Sequence, residues 1–212
     1  MTFAAKFSHV YQKGASSRSP AFTAGQGISA KHTNAREGPM ARDPIVSKVE
    51  KEKEIMATTI ITPDQDAVVS EIHVAAPPDR VFQALVDPKQ VMSWWTGGDC
   101  QIEHFSMETK RGGRWQYDTK QGNLNVNGVS KFHCEGEVVE YDPPRRLAYT
   151  WIANWHEDKT RTTTVRWDLT PQSGGTHVKV THSGLHQEPA ARKDYSNGWT
   201  GVVAQLKEFV EK

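Results

Sequence analysis

The chain has 212 residues, long enough for one domain with an appendage or for two small domains. Its formal net charge of +1 hides an asymmetry: residues 1–55 carry 9 Lys/Arg against 5 Asp/Glu, while the remainder carries 17 against 20 and all seven tryptophans. An acidic body argues against nucleic-acid binding, which needs a concentrated basic surface, and no run approaches the length of apolar sequence that membrane insertion as a helix requires.

The two cysteines, Cys100 and Cys134, cannot form a disulfide framework and lie far from any CxxC spacing. Two free, buried thiols in a reducing, cytoplasmic setting are expected, with a single bridge as the alternative.

Residues 1–56 read as a flexible, low-complexity tail. Gly14–Arg18 and Thr23–Met40 are rich in Gly, Ser, Ala and Pro and have few side chains able to offset the entropy of ordering. Phe3, Phe7, Val10 and Tyr11 share a helical face, and no acid precedes Glu37. An organelle presequence is therefore the alternative to a disordered segment or an upstream extension before Met56. Lys48–Glu54 is a charge run suited to a solvated linker.

The compact region is expected over 57–212. Gln65–Val74 alternates as a first strand, with Val68, Ser70, Ile72 and Val74 on one face. Prolines 77 and 78 open a short helix with Val81, Phe82, Leu85 and Val86 as its stripe. A second helix from Pro88 packs Val91, Met92 and Trp95 and ends at Gly97-Gly98. Strands follow at Cys100–Met107 and Gly113–Asp118, then a polar hairpin loop over Thr119–Gly128. Val129–Pro171 reads as three strands, the first stopped by Asp142-Pro143-Pro144. In the second, Leu147, Tyr149 and Trp151 alternate with Ala148, Thr150 and Ile152; in the third, Val165, Trp167 and Leu169 do so with Thr164, Arg166 and Asp168. Ser173-Gly174-Gly175 turns into a last strand, Thr176–His182. Ala190–Lys212 is a long helix with a stripe of Trp199, Val202, Val203, Leu206, Phe209 and Val210.

Strand, two short helices, six strands and a long helix make an α+β domain. An antiparallel sheet needs one face covered, and the terminal helix is the element long enough to cover it. A strongly curved sheet around that helix leaves room for a cavity.

These elements resemble the START-like, or Bet v 1-like, superfamily, and more narrowly the family named for the C-terminal domain of the activator of heat-shock-protein-90 ATPase. The matching text is IHVAAPPDRVFQALVDP at Ile72–Pro88, MSWW at Met92–Trp95, RGGRW at Arg111–Trp115, GEVVEYDPPRRLAYTW at Gly136–Trp151, VRWDLTP at Val165–Pro171 and GTHVKVTHSGL at Gly175–Leu185. Gly198, Trp199 and Leu206 supply the helix motif, so the likeness spans about Ala67–Lys212. It implies the helix-grip fold, a curved antiparallel sheet wrapped around a long C-terminal helix. Lipid carriers, polyketide cyclases, hormone receptors and co-chaperone domains share that fold, so the site must choose among them. A co-chaperone would bring a separate chaperone-binding N-terminal domain, for which the tail is too short and polar.

Candidate ligand-binding residues are the aromatics Trp95, Trp115, Tyr117, Tyr149, Trp151, Trp155 and Trp199, which suit a planar or apolar ligand. For Trp151, Trp167 and Trp199 the competing reading is core filling. His182 shares parity with Val178 and Val180, pointing it inward as a ligand contact, a general base or a satisfied core histidine. His104, alternating with Ile102, is the second inward histidine. His133, Glu135 and Glu137 face solvent, and Arg145, Arg146 and Arg166 are surface charges. No zinc spacing, phosphate loop, GxSxG or HExxH is present, so neither metal nor cofactor is expected. The leading expectation is non-catalytic binding of a small hydrophobic or aromatic molecule in an internal cavity. A cyclase- or hydrolase-like enzyme with His182 as base, and an interaction module for a protein partner, are the alternatives.

Overall fold

The computed structural model describes residues 56–97, 100–123 and 125–212. The expected tail, apart from Met56, lies outside the described residues, as do Gly98 and the side chain of Cys100. The elements are β1 (Thr58–Ile61), β2 (Val68–Val74), α1 (Pro78–Val86), α2 (Pro88–Trp94), β3 (Thr96–Gly97), β4 (Cys100–Met107), β5 (Arg114–Thr119), β6 (His133–Asp142), β7 (Arg146–Ala153), β8 (Thr163–Gln172), β9 (Gly175–Ser183) and α3 (Pro189–Val210). The strands form one antiparallel sheet in the order β1-β2-β9-β8-β7-β6-β5-β4-β3.

Alternation decides which face is covered. Val68, Ser70, Ile72 and Val74 are buried along β2, and Val178, Val180 and His182 along β9. Tyr149, Trp151, Val165, Trp167 and Leu169 do the same on β7 and β8. Helix α3 lies against this face, close to β1 and β2 and packed on β7–β9 through Tyr195 and Trp199. This is the helix-grip architecture. Asp87 joins the short helices by capping α2, its carboxylate accepting from the amides of Lys89 and Gln90. The diproline turn closes β6 onto β7, with the Arg145 amide donating to the Asp142 carbonyl.

Three expectations change. The edge strand β1 was not anticipated, since TTII offers too short a pattern to separate strand from linker. On α2 the most deeply buried indole is Trp94, which was not expected and donates to the Ala84 carbonyl at 2.7 Å, while Met92 and Trp95, half-buried, pack against the core as expected. His104 does not point inward. The β4–β5 register shifts between Ile102 and His104, so Ile102 and Phe105 are the buried pair and His104 is half exposed beside Asp118. One extra residue in a strand reverses the faces beyond it.

The outer face is charged. Arg146 bridges Glu140 and Asp168, and Arg166 bridges the same two carboxylates across β6, β7 and β8. The two guanidiniums hold the Asp168 carboxyl below its usual range against the opposing effect of burial. His133 lies on this outer face with Glu135 and Glu137, as expected, part-exposed and hydrogen-bonded through Nδ1 to Asp118. Cys134 is a buried free thiol whose pKa burial pushes well up. Among the described residues no helix is long and apolar enough to cross a membrane.

Candidate functional site: an aromatic interior and the cavity at its open end

Most of the aromatics named from the sequence meet in one place. The Trp151 ring lies 5.3 Å from Trp115, 5.8 Å from Tyr117, 6.2 Å from Trp199, 6.3 Å from Trp155 and 6.4 Å from both Trp95 and Tyr149, centroid to centroid. Their polar tips serve one another or the backbone. Trp115 donates to the Thr150 carbonyl, Trp167 to the Tyr149 hydroxyl and Trp151 to the Tyr195 hydroxyl. The contacts with Trp95 and Tyr149 are stacked and the others tilted or edge-on, the favoured aromatic geometries at these distances. These rings cement sheet to helix.

His182 sits inside this cluster, fully buried. Its Nδ1 accepts the Trp199 indole hydrogen at 3.3 Å. An indole can only donate, so Nδ1 carries no proton and the neutral ring holds its hydrogen on Nε2. Nε2 lies 2.8 Å from the Thr163 hydroxyl, which in turn donates to the Trp151 carbonyl. Burial, and then the neighbouring His156, hold its pKa well below the ordinary value. Both nitrogens are therefore engaged, which is the geometry of a satisfied core histidine and leaves no lone pair for a general base.

A cavity of about 300 Å³ opens beside this interior, between the β5–β6 loop, the β7–β8 connection and the first turns of α3. Of the expected ligand contacts, Trp155 lines it; Asn125, Val126, Asn127, Glu157, Glu188, Ala190, Ala191, Lys193 and Asp194 complete the wall. The β5–β6 loop is shaped by Asn127-Gly128, with φ of 49° and 81°, flanked by the reciprocal amide–carbonyl pair of Val126 and Val129. That is a two-residue turn with both central residues at positive φ, for which Asn-Gly is the preferred pair. The Asn127 side chain then donates to the Trp155 carbonyl at 2.8 Å, tying the two loops.

Arg161 ties the β7–β8 connection to the helix. Its Nε donates to Glu188 Oε1 at 2.7 Å, Nη1 to the Gln187 side-chain oxygen and Nη2 to Asp158. Glu188 is the N-cap residue of α3, followed by Pro189, and its carboxylate is almost fully buried. Its second oxygen, Oε2, has no protein partner among the described residues, and neither does Nδ1 of His156, a buried ring whose Nε2 faces the Tyr195 hydroxyl at 2.6 Å. Burial lowers the His156 pKa and raises that of the half-buried Asp194. No group of three His, Cys, Asp or Glu side chains among the described residues could hold a metal ion.

The sequence reading missed His156, Tyr195, Glu188 and Asp194. His156 and Glu188 lie in connections whose polarity resembles ordinary loop text, and Tyr195 and Asp194 precede the apolar stripe that identifies the helix. The one available signal was Asn127-Gly128, which marks a tight hairpin rather than a loose loop.

No curated protein matches this sequence. Among solved structures, a Rhodobacter sphaeroides protein is similar at 18% identity and a TM-score of 0.59, covering 72% of this chain and 96% of its own. A Mycobacterium smegmatis protein, Ms6760, has the same identity and TM-score, over 73% and 93%. Protein MLL2253 of Mesorhizobium loti is 24% identical with a TM-score of 0.54, over 68% and 96%. These likenesses carry the fold. The family model described as Activator of Hsp90 ATPase homolog 1-like protein matches residues 75–211, and the chain belongs to that family, within the START-like, Bet v 1-like superfamily.

Proposed function

We propose that the protein is a non-catalytic binder of a small molecule with a flat, apolar body, taken up in the cavity beside Trp155. The observation that carries this reading is the cavity itself, about 300 Å³, its wall shared about equally between apolar groups (the Trp155 indole, Val126, Ala190 and Ala191) and polar side chains. That volume is at the lower end of the range for ligand pockets, ~300–1,000 Å³. Trp95, Trp115, Tyr117, Tyr149, Trp151 and Trp199 support the site from behind, holding α3 against the sheet so that the cavity keeps its shape. His182 belongs to that support, and His104, on the outer face, to neither.

An enzymatic reading with His182 as its base fails, since the His182 lone pair is occupied by Trp199. A protein-interaction reading calls for a contiguous exposed apolar patch. The exposed large apolar side chains among the described residues are Met56, Ile60 and Val139, and β2, β9, β8 and β7 separate Ile60 on β1 from Val139 on β6.

The test is native mass spectrometry of the freshly purified full chain, with denaturing extraction of whatever is released, followed by a thermal-shift screen of small aromatics. A co-purifying molecule, or a melting shift that Trp155→Ala abolishes, supports the reading. A bare mass with no shift across the panel overturns it.

A further inference from the structure

We propose that His156 is the pin of an acid-released latch, which holds the β7–β8 connection, residues 154–162, against the start of α3 at neutral pH and lets it go when the imidazole takes up a proton. Release there widens the cavity described above, but the latch belongs to the chain itself and needs no ligand to be observed.

The connection is fastened at three points. The Asn127 side chain donates to the Trp155 carbonyl, Arg161 donates to Glu188 and Gln187, and His156 Nε2 faces the Tyr195 hydroxyl at 2.6 Å. Of the groups in these fastenings, only the imidazole ordinarily titrates near neutral pH.

The hydrogen positions follow from the partners. Indoles only donate, and those of Trp151 and Trp155 both give their hydrogen to the Tyr195 oxygen. Its two acceptor sites are then filled, so the phenol hydrogen goes to Nε2 of His156 and the neutral ring carries its own proton on Nδ1. That is the opposite tautomer from His182. Nδ1 is thus a buried donor and Glu188 Oε2 a buried acceptor, neither with a protein partner among the described residues. Glu188 and Tyr195 stand two turns apart along α3, on one helix face, with buried Ala191 between them. The Glu188 carboxylate is also the foremost charge acting on the imidazole. Donor and acceptor are complementary, and one bridging water or a small turn of the carboxylate satisfies both. The result is one chain of hydrogen bonds from Arg161 through Glu188 and His156 to Tyr195.

Acid breaks this chain at Nε2. A second hydrogen on the ring meets a phenol oxygen whose acceptor sites are taken, and the phenol hydrogen loses its own acceptor. Inside a shell closed to water, unmade bonds of this kind are costly. Charges reach the ring from several sides. Glu188 on α3 and Asp158 in the connection favour the cation, Arg161 opposes it, and β9 adds His182, held neutral by burial. The β5–β6 loop brings Asn125 and Asn127, which do not titrate. Burial outweighs these charges and holds the ring neutral in the closed form. The open, solvated form titrates at the ordinary value, so closure is fully favoured above about 6.5 and weakens as the pH falls toward the closed-state pKa.

Hydrogen exchange of the full chain, measured by mass spectrometry at pH 7.0 and 5.0 and corrected for the intrinsic rate at each pH, tests the latch. Peptides over 154–162 and the first turns of α3 are expected to lose protection by about threefold or more at pH 5.0. In His156→Gln the side chain still accepts the phenol hydrogen and cannot titrate. It keeps wild-type protection at pH 7.0 and loses no more than about 1.5-fold at pH 5.0. Nitrogen-15 NMR of the histidine-labelled wild type is the second measurement, and it stands if the variant does not fold. It is expected to place the His156 proton on Nδ1 at pH 7 and the His182 proton on Nε2. Equal loss of protection in both proteins, no loss in either, or a His156 proton on Nε2 overturns the latch. Each of those results leaves the binder reading standing, and failure of every ligand to bind leaves the latch measurable.

Discussion

Replacing His182 with Gln removes a titrating ring while keeping one acceptor and one donor within reach of Trp199 and Thr163. In the native protein the ring is fully buried, with Nδ1 facing the Trp199 N–H at 3.3 Å. Protonation sets a hydrogen on Nδ1 against that N–H, donor against donor, inside a shell formed by Trp151, Thr163, Tyr195, Trp199 and the nearby His156. The folded pKa therefore lies well below the ordinary value of about 6.5. As pH falls below that value the unfolded chain takes up the proton and the folded one does not. The His182 contribution is thus fully present above about 6.5 and is lost on acidification until the folded pKa is reached. The loss approaches about 1.4 kcal/mol for each pH unit by which the folded pKa lies below that of the unfolded chain. His156 acts in the same direction and persists in the variant, so the difference between the two proteins isolates His182. Urea unfolding at pH 7.0, 6.5, 5.5 and 5.0 measures it. Parallel stability curves for wild type and His182→Gln would refute the assignment of a neutral, doubly bonded ring.

Further outcomes are expected from urea unfolding at pH 7. Gly136→Ala places a methyl group 2.0 Å from the Thr150 carbonyl oxygen, between paired strands, and costs about 3 kcal/mol; Gly198→Ala, where the new methyl meets nothing within 4 Å on a long helix, gains about 1 kcal/mol. A small effect of Gly136→Ala would show that β6 and β7 part more easily than their close approach implies. Trp151→Phe removes the hydrogen bond to Tyr195 and shrinks the ring at the centre of the cluster, lowering stability by about 1–3 kcal/mol. Arg161→Ala strips the buried Glu188 carboxylate of its partner and costs about 1.5–3 kcal/mol, with Asp158→Ala, on a weaker 3.4 Å contact, costing clearly less.

Strand positions were legible in the sequence wherever one face is buried without interruption. Leu147, Tyr149 and Trp151, or Val178, Val180 and His182, announce their side of the sheet by parity alone. Parity fails at a bulge, because nothing in GGDCQIEHFSM marks where the extra residue falls, and so His104 was assigned to the wrong face. It also cannot rank neighbours at a helix end, where both indoles pack inward but Trp94 is the more deeply buried and reaches the Ala84 carbonyl. The cavity wall was the least legible part. Its residues come from three separated segments, each polar and short, and what unites them is tertiary: the Asn127–Trp155 and Arg161–Glu188 bonds.

The aromatic interior and the cavity share a helix, and that governs how substitutions can be interpreted. Ala191 and Asp194 line the cavity, while Tyr195, next in sequence, is held by the Trp151 indole and by His156. Burial pushes the Tyr195 phenol well up, so at neutral pH it is a fixed neutral link rather than a source of charge. A change at Trp151 therefore acts on the cavity through Tyr195 and the set of α3, without Trp151 touching what is bound. Loss of binding in a Trp151 variant places that ring in the frame, whereas loss at Trp155 with unchanged stability places it in the site. The two cases separate on one comparison: a frame variant lowers the unfolding midpoint and weakens every ligand alike, and a wall variant changes the order in which members of an aromatic panel bind.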